Sequence, residues 1–331
     1  MGSVDVKKGS SAVEIPHFES LPQLYGWETE NSKGYKIKEQ LCGAERPLRV
    51  VAVGAGASGI CLAKYLPDQL HNVSLSIYEK NPELGGTWYE NRYPGCACDI
   101  PSHIYQFSWA KNAHWSQFYS EGPEILQYFK DVVKSFNLEQ YFKLSHEVVG
   151  ASWDSDRACW DIQVKDLSRG TTFIDTCDVF INCTGVLNAW RWPEIKGIET
   201  FEGSLCHTAN FPETLDLSNK RVAVIGIGSS GVQIIPSILD RVSHMFCWIR
   251  SPTWMTSGFA QKYAGPNGAN FKYTKEQKQH FENHPEEYLE YCKNIEYEIS
   301  KVFNSIQVGS EESKQAKEVR HEVDDVTNER F

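Results

Sequence analysis

The chain has 331 residues, a formal net charge of −10, 41% hydrophobic and 23% charged residues, which is the composition of a globular protein with room for about two domains and sizeable cores. The acidic balance, with no dense Lys/Arg cluster, argues against nucleic acid and anionic membrane surfaces as partners, though not against an anionic cofactor. No apolar run approaches the ~18 residues of a membrane span, the polar start MGSVDVKKGS has no secretory core, and Val6 breaks the myristoylation pattern.

Residues 1–47 are a polar, irregular N-terminal extension in which Trp27 and Tyr35 are candidate anchors. RVVAV (residues 49–53) then has the continuous apolar character of a buried parallel strand. GAGASG (54–59) follows, ICLAKYL continues as a helix, and a second strand over residues 73–78 ends in Glu79. This is the full dinucleotide context of strand, G-x-G-x-x-G, helix, strand and acid. Gly54, Gly56 and Gly59 allow a tight turn and close approach of backbone to pyrophosphate, the helix N-terminus supplies free N–H groups, and Glu79 is spaced to bond ribose hydroxyls.

RVAVIGIGSSG repeats the pattern, with a strand over residues 221–225, a turn over 226–231 and a helix over 232–239. The next strand, 244–249, ends in Arg250 and Ser251 instead of an acid. An acid there repels a 2′-phosphate, whereas a guanidinium offers a fork of donors that fits one. Two unlike dinucleotides in one chain imply electron transfer between them, and a nicotinamide and a flavin are the natural pair: FAD on the first turn, NADPH on the second. The expected fold is α/β, with two Rossmann-like dinucleotide-binding domains and a C-terminal helical segment. The ten cysteines show no disulfide framework and are expected as reduced thiols of a cytoplasmic protein; the Cys96/Cys98 pair lacks the companions of a zinc site.

Four further stretches carry a resemblance. GGTWYENRYPGCACD (85–99) follows the first ribose acid, CDVFINCTGVLNAWRWP (177–193) has the form of strand, turn and exit loop, FEGSLCHTANFP (201–212) precedes the second turn, and RSPTW (250–254) closes the second strand pair. Together, over residues 49–256, they resemble the class B flavoprotein monooxygenases of Baeyer–Villiger type, whose pattern F-x-G-x-x-x-H-x-x-x-W-P/D is met here by Phe201, Gly203, His207, Phe211 and Pro212, with Phe211 in place of Trp. GVLNAWRWP is similar to the fungal branch, which often serves secondary metabolism.

The resemblance implies site roles. Gly54, Gly56, Ser58 and Gly59 would hold the FAD pyrophosphate and Glu79 its ribose. Gly86, Thr87, Trp88, Cys98, Ile100, Tyr105 and Val148 would contact the rest of FAD, with Asp99 beside the isoalloxazine and nicotinamide as the catalytic candidate. Gly226, Gly228, Ser229, Ser230, Gly231 and Gln233 would cradle the NADP phosphates, and Arg250 and Ser251 the 2′-phosphate; His207 would serve domain motion on a linker. Plainer readings stand beside these: Trp88 as core aromatic, Asp99 as a cap before Pro101, Arg250 as a solvated cation, His207 as a satisfied interdomain histidine.

The implied organisation is an extension (1–47), an FAD-binding domain (48–187), a linker with the NADP-binding domain (188–260) and a helical segment (261–331) beginning near Tyr273. In the family the FAD domain returns after that segment, carrying an arginine that serves the oxygenation step. No CRR- or KRP-like stretch follows here, and Arg320 and Arg330 have the setting of helix-surface residues, so a C-terminally shortened form is expected, with a partner chain or oligomer over the incomplete FAD domain. The implied activity uses NADPH and dioxygen to insert one oxygen into a small organic substrate, a ketone giving an ester or lactone, without a metal. A nitrogen-, sulfur- or carbon-hydroxylating flavin enzyme and a non-catalytic nucleotide-binding remnant stay open as alternatives.

Overall fold

The computed structural model describes residues 41, 43–251, 258–311, 313 and 314. Trp27, Tyr35, Pro252–Trp254 of the RSPTW stretch, Arg320 and Arg330 lie outside the described residues. The chain divides into two units, Met1–Pro47 and Leu48–Phe331. The described residues of the first unit are exposed and turn at Gly43.

The second unit is organised around a four-stranded parallel sheet. Its members are β1 (Leu48–Val53), β2 (Val73–Tyr78), the short β3 (Phe142–Lys143) and β7 (Val179–Asn182), in the order β3-β2-β1-β7. Val50, Val51 and Ala52 of β1 are all buried, so this strand is covered on both faces, as its unbroken apolar sequence requires. Helix α1 (Ala57–Gln69) returns from β1 to β2, the one-turn helix α2 (Thr87–Glu90) follows β2, and α3 (Gly122–Ser135) packs on the same side. Helix α3 buries Ile125, Tyr128, Phe129, Val132 and Val133, the spacing of a single apolar stripe.

The opposite face of the sheet is covered by an antiparallel meander that the sequence did not announce: β4 (His146–Asp154), β5 (Cys159–Asp166) and β6 (Thr171–Cys177). In β5 the fully buried Ile162 and Val164 alternate with the exposed Gln163 and Lys165, and the buried pair packs on Val51 and Tyr78. Asp175 of β6 pins the layers together. It accepts from Arg49 Nε at 3.1 Å and from Tyr78 Oη at 2.7 Å. Burial would raise its carboxyl pKa, but bonds from Arg49 and Tyr78 prevail and hold it below the ordinary value.

A second, two-stranded parallel sheet joins β8 (Arg221–Ile225) and β9 (His244–Trp248) through α4 (Ser229–Ile238). The helical segment comprises α5 (Lys275–Asn283) and α6 (Pro285–Ile306). A capping box of Thr274 and Gln277 starts α5. The expected helical run breaks at His284, where φ is −127° and Pro285 follows; the residue before a proline is driven out of helical geometry. Among the described residues no cysteine is paired, no cluster of His, Cys, Asp and Glu has the arrangement of a metal site, and no helix is long and apolar enough to cross a membrane.

The helical segment is attached through an aromatic cluster around His103, which is 1% exposed. Its ring lies edge-on to Tyr273, Phe281, Tyr288 and Tyr291. The Tyr288 hydroxyl donates to Asn112 O at 2.7 Å, so its oxygen accepts from His103 Nδ1 at 2.8 Å, and Nε2 is the unprotonated nitrogen. Burial first, then the charges of Lys111 and Lys278, push the His103 pKa down to about 3. An unfolded histidine titrates near ~6.5, so between that pH and about 3 the unfolded chain binds the extra proton and stability falls as the solution is acidified. His103→Leu should cost about 1–3 kcal/mol at pH 7 through the lost bond. In urea titrations the gap between wild type and variant should narrow as pH drops through that window; a constant gap would contradict the neutral buried histidine.

Candidate functional site

At the end of β1 the chain leaves the sheet between its two neighbours: Gly54 N donates to Tyr78 O of β2 at 2.8 Å and Cys183 N, past β7, donates to Val53 O at 2.9 Å. Gly54 has φ +107°, and a side chain there would reach 2.5 Å from Cys183 O. A Cβ on Gly59 would lie 2.1 Å from Gly54 O. Gly56 is met from behind by Gly86, whose own Cβ would sit 2.9 Å from Gly56 Cα, and Gly85 N bonds Ala55 O at 3.0 Å. Helix α1 starts with no side-chain cap and no acidic residue in its first turn, and Ala57 and Ser58 are exposed. Such an end offers free N–H groups and partial positive charge to an anion.

Glu79 closes the turn on the β2 side. Its buried carboxylate accepts from Ala55 N at 2.8 Å and from Asn81 N and Nδ2, both at 2.9 Å. Three donors leave one of its roughly four lone-pair sites for a ribose hydroxyl. The meander starts at the same place, His146 N donating to Glu79 O at 2.8 Å, with half-buried Val148 two residues further on, just before a register shift in β4.

Beyond Gly86, Thr87 is exposed and Trp88 is buried, its Nε1 donating to Tyr105 Oη at 3.1 Å with the rings edge to face. Burial raises the Tyr105 pKa, so this hydroxyl stays protonated at neutral pH. Burial likewise pushes the Cys98 thiol up to about 12, which leaves it without thiolate character. Ile100 is half-buried. Asp99, between Cys98 and Ile100, is exposed, and among the described residues no hydrogen bond ties it down as a cap.

The second turn shares the first one's glycine geometry and its bond to the neighbouring strand. Gly226 N donates to Trp248 O at 2.9 Å, Val232 N donates to Gly228 O at 3.0 Å, Gly226 has φ +100°, and a Cβ on Gly231 would lie 2.6 Å from Gly226 O. Helix α4 also starts without a side-chain cap. The difference lies in the surroundings. A Cβ on Gly228 would meet nothing within 4 Å, Ser229 is exposed, and β9 is followed by the exposed Arg250 and Ser251. Gln233 departs from its expected place in the phosphate cradle. Its amide faces the other way, Oε1 accepting from Tyr93 Oη at 2.7 Å and Nε2 donating to Ala97 O at 2.9 Å. Tyr93 and Ala97 belong to the 85–99 segment that follows β2, so Gln233 ties that segment to α4 through a contact that motif spacing did not reveal.

On the linker, His207 stacks on Trp190 with ring centroids 4.7 Å apart, and its Nδ1 accepts from Ala209 N at 3.1 Å. Burial lowers its pKa, which suits a neutral packed histidine. Phe211, the aromatic departure from the family pattern, is buried in the main core. A cavity of about 660 Å³ lies among Tyr263, Tyr273, Phe281 and their neighbours, and none of the turn residues lines it.

Comparison with known proteins agrees with this geometry. Residues 53–121 match the NAD(P)-binding Rossmann-like domain. The chain is 40% identical over 272 residues to the FAD-binding monooxygenase tazF of Aspergillus terreus, covering 81% of this chain and 48% of that one. It is 36% identical to a Baeyer-Villiger monooxygenase of Streptomyces coelicolor over 63% of this chain and 39% of the relative. Cyclohexanone monooxygenase from Rhodococcus sp. Phi1 bound to NADP+ superposes with a TM-score of 0.61 at 32% identity, over 72% of this chain and 43% of that one. The chain spans about half the length of the curated relatives it matches. Over the part of its length that it spans, the chain is thus similar to FAD-binding monooxygenases, Baeyer–Villiger enzymes among them.

Proposed function

We propose that this chain binds FAD at the first turn and NADPH at the second, and serves a monooxygenase that inserts one oxygen atom of dioxygen into a small organic substrate, a ketone giving an ester or lactone. The observation that carries this reading is the pair of turns with one stereochemistry and opposite chemistry after their second strands. The buried carboxylate of Glu79 stands after β2, and the exposed guanidinium of Arg250 after β9. A carboxylate suits free ribose hydroxyls, and a guanidinium beside Ser251 suits a 2′-phosphate.

The residues fit both groups. A Cβ on Gly54 or Gly59 would distort the first turn, and Gly228 faces open space where a second pyrophosphate can approach. Bound FAD would supply the redox centre between NADPH and dioxygen. The chain's own part is to bind and orient. Ser58 and the start of α1 take the FAD phosphates, Gly86, Thr87, Trp88, Cys98, Ile100, Tyr105 and Val148 shape the rest of its site, and Ser229, Ser230 and Gly231 with the start of α4 take those of NADPH. Asp99, untied and exposed, is the carboxylate available to the reacting rings. In this reading residues 48–187 and 188–260 are the two nucleotide domains, 1–47 an extension and 261–331 a helical segment, in a cytoplasmic protein. The exposed Val186, Leu187, Ile225 and Trp248 support a covering partner, either a second copy or another polypeptide.

Purified chain incubated with FAD should retain a yellow flavin absorbance after desalting. Gly59→Ala, whose Cβ falls on Gly54 O, should lose both flavin and several degrees of melting temperature. A wild-type chain that stays colourless would sink the reading. At the second turn the two properties should separate. Gly228→Ala meets no atom and has an ordinary φ of −70°, so its melting temperature should hold while NADP+ affinity falls about tenfold or more. Arg250→Ala should weaken NADP+ by about tenfold and leave NAD+ nearly unchanged in a calorimetric titration, because only the 2′-phosphate loses its partner; no loss for either nucleotide would assign Arg250 to the surface, and equal losses would place it on a group that the two share.

A further inference from the structure

The segment NRYPGCACD lies as a thin layer between α3 and α4. On the α3 side its backbone is fixed by Gly122 N to Cys96 O at 2.8 Å and Cys98 N to Ser120 O at 3.0 Å. On the α4 side it sits directly on the helix that follows the second turn. Gly95 has φ +80°, and a Cβ there would lie 1.9 Å from Ser237 Oγ and 2.7 Å from Gln233 O, so no other residue permits this approach. Two residues on, Gln233 clasps Ala97 by both backbone groups, Nε2 to the carbonyl at 2.9 Å and Oε1 to the N–H at 3.4 Å. The same Oε1 takes the Tyr93 hydroxyl at 2.7 Å. That hydroxyl is held protonated by burial, its pKa pushed up to about 12. Gln233, two residues beyond Gly231 of the second turn, is thereby bonded to both Tyr93 and Ala97, and Asp99 follows Ala97 by two residues.

We propose that Gln233 is a positioning residue that couples the two nucleotide sites: it transmits occupancy of the second turn to the loop that carries Asp99, and occupancy of the flavin site back to the second turn. This rests on the assignment of the turns to FAD and NADPH. The physical basis is local. An NADP phosphate at the start of α4 bears on the helix that carries Gln233 and Ser237, and so on the bonds to Tyr93 and Ala97, while a flavin against residues 96–100 fixes the Ala97 end. Such coupling is reciprocal by linkage, and contacts of this kind amount to about 5-fold or more in affinity.

The test is the ratio of NADP+ dissociation constants, measured by calorimetry, for the FAD-free and FAD-loaded chain. In wild type the ratio should differ from one by about 5-fold or more. In Gln233→Leu it should collapse to about one, with the flavin absorbance still present. Tyr93→Phe removes one hydroxyl and keeps the Ala97 clasp, so it folds by the same contacts and should reduce the ratio part of the way. A purely structural role would lower melting temperature in these variants and leave the ratio at its wild-type value. A wild-type ratio of one, or an unchanged ratio in a folded variant of either residue, overturns the coupling alone. A wild-type chain that takes up neither FAD nor NADP+ overturns the site assignment and the coupling with it.

Discussion

The contact on which the rest of this structure depends is the one between the third glycine of each turn and the carbonyl of the first. A methyl group at Gly59 would reach 2.1 Å from Gly54 O, and one at Gly231 would reach 2.6 Å from Gly226 O. These distances are far inside van der Waals contact, so helix and strand approach only if that position carries no side chain. The first glycine must also take a positive φ, +107° in one turn and +100° in the other, which costs any L-residue steric energy. Strand, helix and second strand thereby meet at one point, and every candidate group, from Glu79 to Arg250, is aimed from there.

Two identical turns acquire different chemistry from what stands around them. Behind the first lies Gly86, in contact with Gly56, and above it the Glu79 carboxylate bonded to Ala55 N. Around Gly228 there is open space, and the nearby strand ends in a cation. The first site is therefore walled by protein and the second faces outward. Under the proposed assignment, a nucleotide in the walled site would exchange through rearrangement of its loops and one in the open site could come and go, as a resident and a consumed cofactor would require.

Much of this was legible in the sequence because its signals are local. The runs VSLSIY and RVAVI are strands with the bounds that the sequence indicates, and Glu79 follows directly on the first of them. The meander was not legible. Its strands pair residues such as Trp153 with Trp160 and Ile162 with Asp175, and their alternation is interrupted by the register shift after Val148. Their burial depends on Val51 and Tyr78, roughly a hundred positions away, which no window along the chain contains. The contacts of Gln233 were not legible for a related reason. Its spacing from the glycines fits a phosphate contact, but direction decides, and its amide faces Tyr93 and Ala97, more than a hundred residues earlier in the chain. The break at His284 was visible in Pro285 yet masked by the amphipathic run on either side.

The energetics of the second sheet explain why the contact at Gln233 is more than incidental. A two-stranded sheet is marginal alone, and β8 and β9 bury little, with Ile225 and Trp248 each more than half exposed. What anchors this part of the chain is α4, whose Ile234 and Ile238 are buried in the main core with Trp88, Tyr93, Cys96 and Cys98. The apolar residues that hold the second turn are thus neighbours, along the same helix, of the amide that grips Ala97. A shift of α4 on nucleotide binding cannot leave residues 93–98 unmoved, because Gly95 has no space to give against Ser237. Close packing of this kind converts a small displacement at one site into a discrete change at the other. In the proposed assignment, the helix that anchors the second turn is for that reason also the element through which the first site would sense it.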